Sequence, residues 1–187
     1  MAVDDDRMKD AKRRMEGAVS ALSSEFAAVR TGRASTSLLD RIQVDAYGTK
    51  TPLNQLATIS APEPRLLTVS PFDPSIMSAI ERSIMESDLG LTPNNDGKII
   101  RLPIPQLTEE RRKEMVRLVH KMAEEGRVAI RNVRRDVLHD LKRAEKDGDL
   151  SRDELKRAED EVQKLTDAEV KTVDDLMGRK EAEILEV

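Results

Sequence analysis

The chain contains no cysteine and no tryptophan, and only two phenylalanines and one tyrosine among 187 residues. Without thiols there is no disulfide, no thiolate nucleophile and no Cys-ligated zinc; a reducing, cytoplasmic location is compatible with this. With Phe26, Tyr47 and Phe72 as the only aromatics, the chain lacks the stacking platform on which single-strand RNA readers hold bases. No apolar run approaches the ~20 residues needed to span a bilayer, so no membrane partner is expected. The opening Met1-Ala2-Val3-Asp4-Asp5-Asp6 is acidic, unlike a secretory signal. The phosphate-binding and nucleophile signatures G-x-x-x-x-G-K-[ST], G-x-G-x-x-G and G-x-S-x-G are all missing. His120 and His139 would lie about 28 Å apart on one helix, too far to share an ion. No metal, no cofactor, no small-molecule substrate and no enzymatic activity are expected.

Proline is missing from both ends. All 8 prolines fall between Pro52 and Pro105, and proline breaks helix interiors, so helix-compatible ends flank a different middle. From Asp4 to Arg30, Met8, Met15, Leu22 and Val29 recur every seven residues, with Ala11, Ala18, Val19 and Phe26 widening the stripe. A second long helix starts at Thr108 as N-cap, with Glu109 and Glu110 in its first turn. Its stripe is Met115, Val119, Met122, Gly126, Ile130, Val133, Val137, Leu141 and Ala144. At 1.5 Å per residue it extends about 58 Å, and Asp147-Gly148 ends it.

The third helix opens with the capping box Ser151-x-x-Glu154 and the staple pair Leu150 and Leu155, then continues through Ala158, Val162, Leu165, Val173 and Leu176. None of the three is apolar all round, so each must bury its stripe on the others; an antiparallel three-helix bundle is the simplest solution. In the middle, Arg41–Asp45, Leu66–Val69 and Lys98–Leu102 read as strands. Asp73-Pro74 opens a helix with Ile76, Ile80 and Ile84 on its buried face, and Asn94-Asn95-Asp96-Gly97 is turn chemistry.

The fold class expected is therefore α+β: residues 1–30 and 106–187 form an elongated antiparallel three-helix bundle, and residues 31–105 a small inserted α+β domain. Chain leaves the bundle through Thr31, Gly32 and Arg33 and returns through Pro103, Ile104, Pro105 and Gln106. These two crossings, near 30–33 and 102–106, make either a hinge or a proline-stiffened elbow.

Charge is unevenly spread. The total is -4, but residues 108–146 carry a net +4 and residues 147–187 a net -7. In a solvated helix most basic residues have Asp or Glu at i±3 or i±4. Nearly all do here; Arg30, Arg131, Arg134 and Arg135 are the exceptions. Three of those four fall within five positions, and all are arginine, whose planar fork suits phosphate. One reading is a polyanion patch addressed to the backbone and shape of structured RNA. The other is pairing with acids of the third helix across the bundle.

Several stretches, taken in order, resemble the bacterial ribosome recycling factor family over essentially the whole chain. They are Val29-Arg30-Thr31-Gly32-Arg33-Ala34-Ser35, Tyr47-Gly48 with Thr51-Pro52-Leu53 and Gln55-Leu56-Ala57, Ser87-Asp88-Leu89-Gly90-Leu91, Pro105-Gln106-Leu107-Thr108-Glu109-Glu110-Arg111-Arg112, Arg131-Asn132-Val133-Arg134-Arg135-Asp136, and Val162-Gln163-Lys164-Leu165-Thr166-Asp167. The resemblance implies an L-shaped pair of domains, a three-helix bundle with a β/α insertion. It also implies a non-enzymatic translation factor that binds the 70S ribosome after termination, on the large subunit. With elongation factor G and GTP, such a factor splits the ribosome into subunits. By the same resemblance, Arg30, Arg111, Arg112, Arg131, Asn132, Arg134 and Arg135 match residues that contact 23S rRNA. A monomer is expected. The alternative from another class is a helical adaptor or chaperone cofactor working through protein–protein contacts, for which a continuous exposed apolar stripe would be the signature.

Overall fold

The computed structural model describes residues 2–186 of the chain. It divides into two compact units. Of the described residues, the first comprises 2–30 and Arg112–Leu185; the second comprises Thr31–Arg111 together with Glu186.

The first unit holds the long helices α1 (Ala2–Ala28), α3 (Glu109–Lys146) and α4 (Arg152–Leu185). Their stripes meet in one core, in which Ala11, Met15, Leu22 and Phe26 of α1 join Val119, Ile130, Val137 and Leu141 of α3 and Ala158, Val162, Val173 and Ile184 of α4. Ala123 is also buried without having been marked by the periodicity. Helix direction can be read from side-chain partners. As residue numbers rise along α3, those of their α4 partners fall: His120 with Glu181, Arg127 with Asp174, Arg134 with Gln163, Lys142 with Glu159. Likewise Arg14 of α1 pairs with Asp136 and Leu22 lies over Gly126, so α1 also runs against α3. A Cβ at Gly126 would stand 3.1 Å from Leu22 Cδ2, which is why the core stripe of α3 contains a glycine.

The α3–α4 turn is closed from both sides. Gly148 takes φ +85, a conformation glycine adopts without a Cβ penalty, while the N–H groups of Asp149 and Leu150 donate to the Ala144 carbonyl at 2.9 and 3.3 Å. The expected capping box is present: Ser151 N–H donates to Glu154 Oε2 at 2.8 Å, and Glu154 N–H to Ser151 Oγ at 3.3 Å. Leu150 is buried beside it. Thr108 also caps α3, accepting from Arg111 N–H at 3.2 Å. The Asp4 side chain lies outside the described residues; Asp5 and Asp6 beside it are exposed.

The second unit contains six strands and α2 (Met77–Met85). β1 (Gln43–Ala46) and β2 (Thr49–Pro52) form a hairpin; β3 (Ala57–Glu63), β4 (Leu66–Pro71), β5 (Asn94–Asn95) and β6 (Ile100–Pro103) form an antiparallel sheet in the order β3-β4-β6-β5. Leu67, Val69, Ile100 and Leu102 from the sheet share a core with Val44, Ala46, Ile76, Met77, Ile80 and Ile84. Several details differ from the sequence expectation. The first strand begins two residues later than Arg41, leaving Ile42 buried ahead of it. The Asp73-Pro74 start is a single 3-10 turn, Pro74–Ile76, leading into α2, with Asp73 accepting from Ser75 N–H at 2.9 Å. Asn94 and Asn95 are not turn but a short strand on β6, the turn being left to Asp96 and Gly97. β2 and β3 were not read as strands; Pro62 near the end of β3 is tolerated because β3 lies at a sheet edge.

The return crossing is less free than a linker. Pro103 pairs with Leu66 in the sheet, and Ile104 N–H donates to Arg65 O at 2.8 Å. On the outward crossing Thr31 is buried, Ala34 N–H donates to Pro64 O at 2.7 Å, and Gly32 has φ +78. A Cβ on Gly32 would meet Leu107 Cγ at 2.9 Å. Gly32→Ala therefore combines a left-handed backbone with a steric displacement, and should destabilise the second unit by about 1–2 kcal/mol. Urea unfolding followed through Tyr47, the only tyrosine of the chain, reports that unit selectively.

Acid should loosen the same unit. The Asp96 carboxyl is held well below the usual carboxylate range, first by the Ile99 N–H, then by the Arg101 guanidinium and the Lys98 N–H. Asp73 is lowered too, by the Tyr47 hydroxyl and then by the Ser75 N–H. Depressed folded values mean stability that is complete above the unfolded value of about 3.9 and lost as pH falls below it toward the folded values. The stability gap between the parent and Asp96→Asn should narrow below about pH 4. A gap that stays constant in Tyr47-monitored unfolding would show that the charge of Asp96 contributes nothing.

Candidate nucleic-acid interface

Three of the four arginines singled out by spacing, Arg131, Arg134 and Arg135, sit on α3, a helix held by its apolar stripe, so their guanidinium groups project from a fixed rod. Their surroundings differ sharply. Arg127, whose side chain is 18% exposed, donates to Asp174 at 2.6 Å and to Glu124 at 3.0 Å. Its pKa is raised above the usual arginine value, chiefly by the hydrogen bond to Asp174, with burial opposing. That charge is neutralised within the bundle.

Arg131 corrects the spacing argument. It has no acid three or four residues away, yet its Nη2 donates to Glu124 Oε1 at 2.9 Å, two helical turns back. Glu124 thereby serves Arg127 and Arg131 with one oxygen each, and those two hydrogen bonds, that from Arg127 first, hold its carboxyl below the ordinary range. An i±3/i±4 test cannot see this pair, because the long side chains bridge a rise of about 10 Å.

Arg134 and Arg135 have neutral partners. Arg134 Nη1 donates to Gln163 Oε1 at 3.0 Å, while its Nε is buried and unmatched. Arg135 Nη2 donates to Asn132 Oδ1 at 2.8 Å. Amide oxygens orient a guanidinium but leave its net charge uncompensated. Asn132 is exposed beside Val128 and Ala129 on a shallow open face of α3. The cross-bundle alternative thus holds for Arg127 and fails for Arg134 and Arg135.

The remaining candidates are not brought together with this group. Arg30 is exposed just past the end of α1. Arg111 is exposed, and Arg112 is partly covered with its Nε buried and unmatched. Arg112 lies 19 residues from Arg131 on the same helix, about 28 Å by helical rise. The local cluster is therefore Arg131, Asn132, Arg134 and Arg135, with Arg134 and Arg135 carrying its uncompensated charge. Gln163, which the spacing argument did not reach, belongs to the cluster from α4. Its signal lies across the bundle and shows only once the two helices are in register.

Other chemistry is not assembled. Among the described residues no group of three or more His, Cys, Asp or Glu side chains is placed to hold a metal ion. His120 makes a 2.8 Å contact with Glu181, and His139 is exposed. Among the described residues no helix is long and apolar enough to cross a membrane.

Comparison with known proteins bears on this arrangement. A family model described as Ribosome recycling factor matches residues 22–185. The ribosome-recycling factor of Rubrobacter xylanophilus is 59% identical over 180 residues, covering 96% of this chain and 97% of that protein. That of Alkaliphilus metalliredigens is 56% identical over 179 residues, with 96% and 97% covered. Among solved structures, a solution structure of the ribosome recycling factor aligns with TM-score 0.73 at 44% identity, covering 98% of each chain. Models of the T. thermophilus ribosome recycling factor and the E. coli elongation factor G bound to the E. coli post-termination complex supply a second likeness, with TM-score 0.64, 47% identity and 97% and 98% covered. The helical bundle with its inserted sheet, the motif order and the near-complete overlap with these relatives agree, and the chain belongs to the ribosome recycling factor family.

Proposed function

We propose that this chain binds the post-termination ribosome in the cytoplasm and, with elongation factor G and GTP, drives its separation into subunits. The bundle anchors on large-subunit 23S rRNA through phosphate contacts made by Arg134 and Arg135, supported by Arg131 and Asn132, with Arg30, Arg111 and Arg112 as outlying contacts. The observation that carries the anchor is the neutral partnering of Arg134 and Arg135 in a helix whose Arg127 is fully ion-paired. The T. thermophilus relative in complex on the ribosome with elongation factor G supports the setting. Scarce aromatics favour contacts to backbone and shape over base stacking.

The second unit is the moving part, turning about the two crossings near residues 30–33 and 102–106. GTP hydrolysis in the partner supplies the work, so this chain needs no nucleotide site of its own.

The test is sedimentation of post-termination ribosomes with elongation factor G, GTP and either the parent chain or Arg134→Glu. The parent should yield subunits, and the variant should bind at least tenfold more weakly, by an order-of-magnitude reckoning for a lost and reversed phosphate contact. The slope of log affinity against log salt should also fall by about one per contact removed. Unchanged affinity for Arg134→Glu would discard the anchor; absence of splitting by the parent would discard the function. Motion has its own check. Tying the two units through a pair of introduced cysteines, in a chain that has none, should spare ribosome affinity and slow splitting. Full splitting by the tied form would remove the motion from the mechanism.

A further inference from the structure

A row of four polar or basic side chains on α3 faces α4 along the edge of the core. At His120, Arg127 and Lys142 the α4 partner is a carboxylate: Glu181 at 2.8 Å, Asp174 at 2.6 Å and Glu159 at 3.8 Å. At Arg134 alone the partner is an amide, that of Gln163, at 3.0 Å. The amide has a second partner on its own helix. Gln163 Nε2 donates to Asp167 Oδ1, one helical turn on, at 2.8 Å. The amide orientation follows from its neighbours, since turning it over would set its NH2 against the guanidinium and its oxygen against the carboxylate.

We propose that Gln163 is a positioning residue for rRNA binding. It takes hold of one edge of Arg134 through a neutral oxygen and occupies Asp167 with its NH2, so that the guanidinium is aimed outward with its positive charge unspent. This rests on the reading that Arg134 contacts rRNA phosphate. The chemistry is that of a separator. A carboxylate at 163 would fix the same edge of Arg134 equally well but would neutralise it, as Asp174 neutralises Arg127. An apolar side chain would leave the charge but lose the aim. An amide does both, because one end accepts from a cation while the other donates to an anion. The buried, unmatched Nε of Arg134 fits this account. Nε is enclosed in the bundle and Nη1 is held by Gln163, which leaves Nη2 as the donor for a phosphate.

Binding of the full-length chain to large ribosomal subunits, measured across a salt series, tests the proposal with the parent, Arg134→Ala, Gln163→Glu and the double variant. Gln163→Glu should weaken binding about tenfold and flatten the salt slope by about one, as loss of one phosphate contact does. Its helical melting point should stay close to that of the parent, because the ion pair gained with Arg134 offsets the lost hydrogen bond to Asp167 and the new like-charge neighbours on α4. In the Arg134→Ala background the same substitution should cost little further affinity, the mark of two residues acting as one unit. An equal loss in that background would mean simple repulsion between a new carboxylate and rRNA, and would overturn the positioning role. So would Gln163→Glu binding with parental affinity while Arg134→Ala binds weakly. If Arg134→Ala itself binds as the parent does, the rRNA anchor fails, and this inference fails with it. Gln163→Leu supplies the opposite control: affinity should fall about threefold while the salt slope stays parental, since the charge remains and only its aim is lost.

Discussion

The register between α3 and α4 is the constraint on which the charged surface depends, and a short turn sets it. Gly148 in its left-handed conformation, the two N–H groups returned to Ala144 and the reciprocal Ser151–Glu154 cap leave α4 little freedom in where it starts. Each cap of this kind is worth about 1 kcal/mol, small beside burial of the stripes. Yet burial is tolerant of sliding along a helix in a way that a cap is not. Once α4 begins at Arg152, Arg127 must face Asp174 and Arg134 must face Gln163. The turn therefore decides which arginine is neutralised and which is left charged, about 18–29 Å away by helical rise.

Net charge is a poor guide to partners in such a chain. An acidic total of -4 argues against a polyanion partner only if charge is smeared over the surface, and at physiological salt, fields beyond about 8 Å are largely screened. What a phosphate meets is the local balance. At Arg127 and Arg131 that balance is struck by Glu124 and Asp174; at Arg134 and Arg135 it is left open by two amides. Exposed ion pairs along the same helix contribute at most modestly to stability, so the cost of leaving one seam position without a carboxylate is small. The gain in charge presented outward is a whole unit.

Much of this was legible beforehand, for physical reasons that also mark where legibility stopped. The long helices follow from unbroken apolar periodicity, and their ends from local capping chemistry, both properties of contiguous residues. β4 and β6 carry the sheet core and so show apolar runs, whereas β5 is two asparagines whose strand character comes entirely from the neighbour they pair with. β3 contains Pro62, which reads as a loop unless its edge position is known. Within the site, absence of an acid one turn away picks out Arg134 and Arg135, whose partners are amides, but also Arg131, whose carboxylate partner is two turns away. Gln163 was beyond reach, because a cross-helix partner depends on register, and register depends on a turn whose consequences appear only in three dimensions.

Where sequence rules break locally is often where function sits, and the seam between α3 and α4 gives that idea a specific form. Three of its four positions follow the rule that a basic or imidazole side chain at a helix interface meets a carboxylate. The fourth does not: Arg134 meets the amide of Gln163, whose NH2 donates to Asp167 one turn on. A fold selected for stability alone would gain from closing that position. Leaving it open is advantageous only if the charge of Arg134 is needed outside the bundle. The rod on which it rides is fixed by a buried core on one side and by ion-paired neighbours above and below. Under the proposed anchor, the same helix draws its rigidity from its neutralised residues and its recognition surface from the ones it leaves charged.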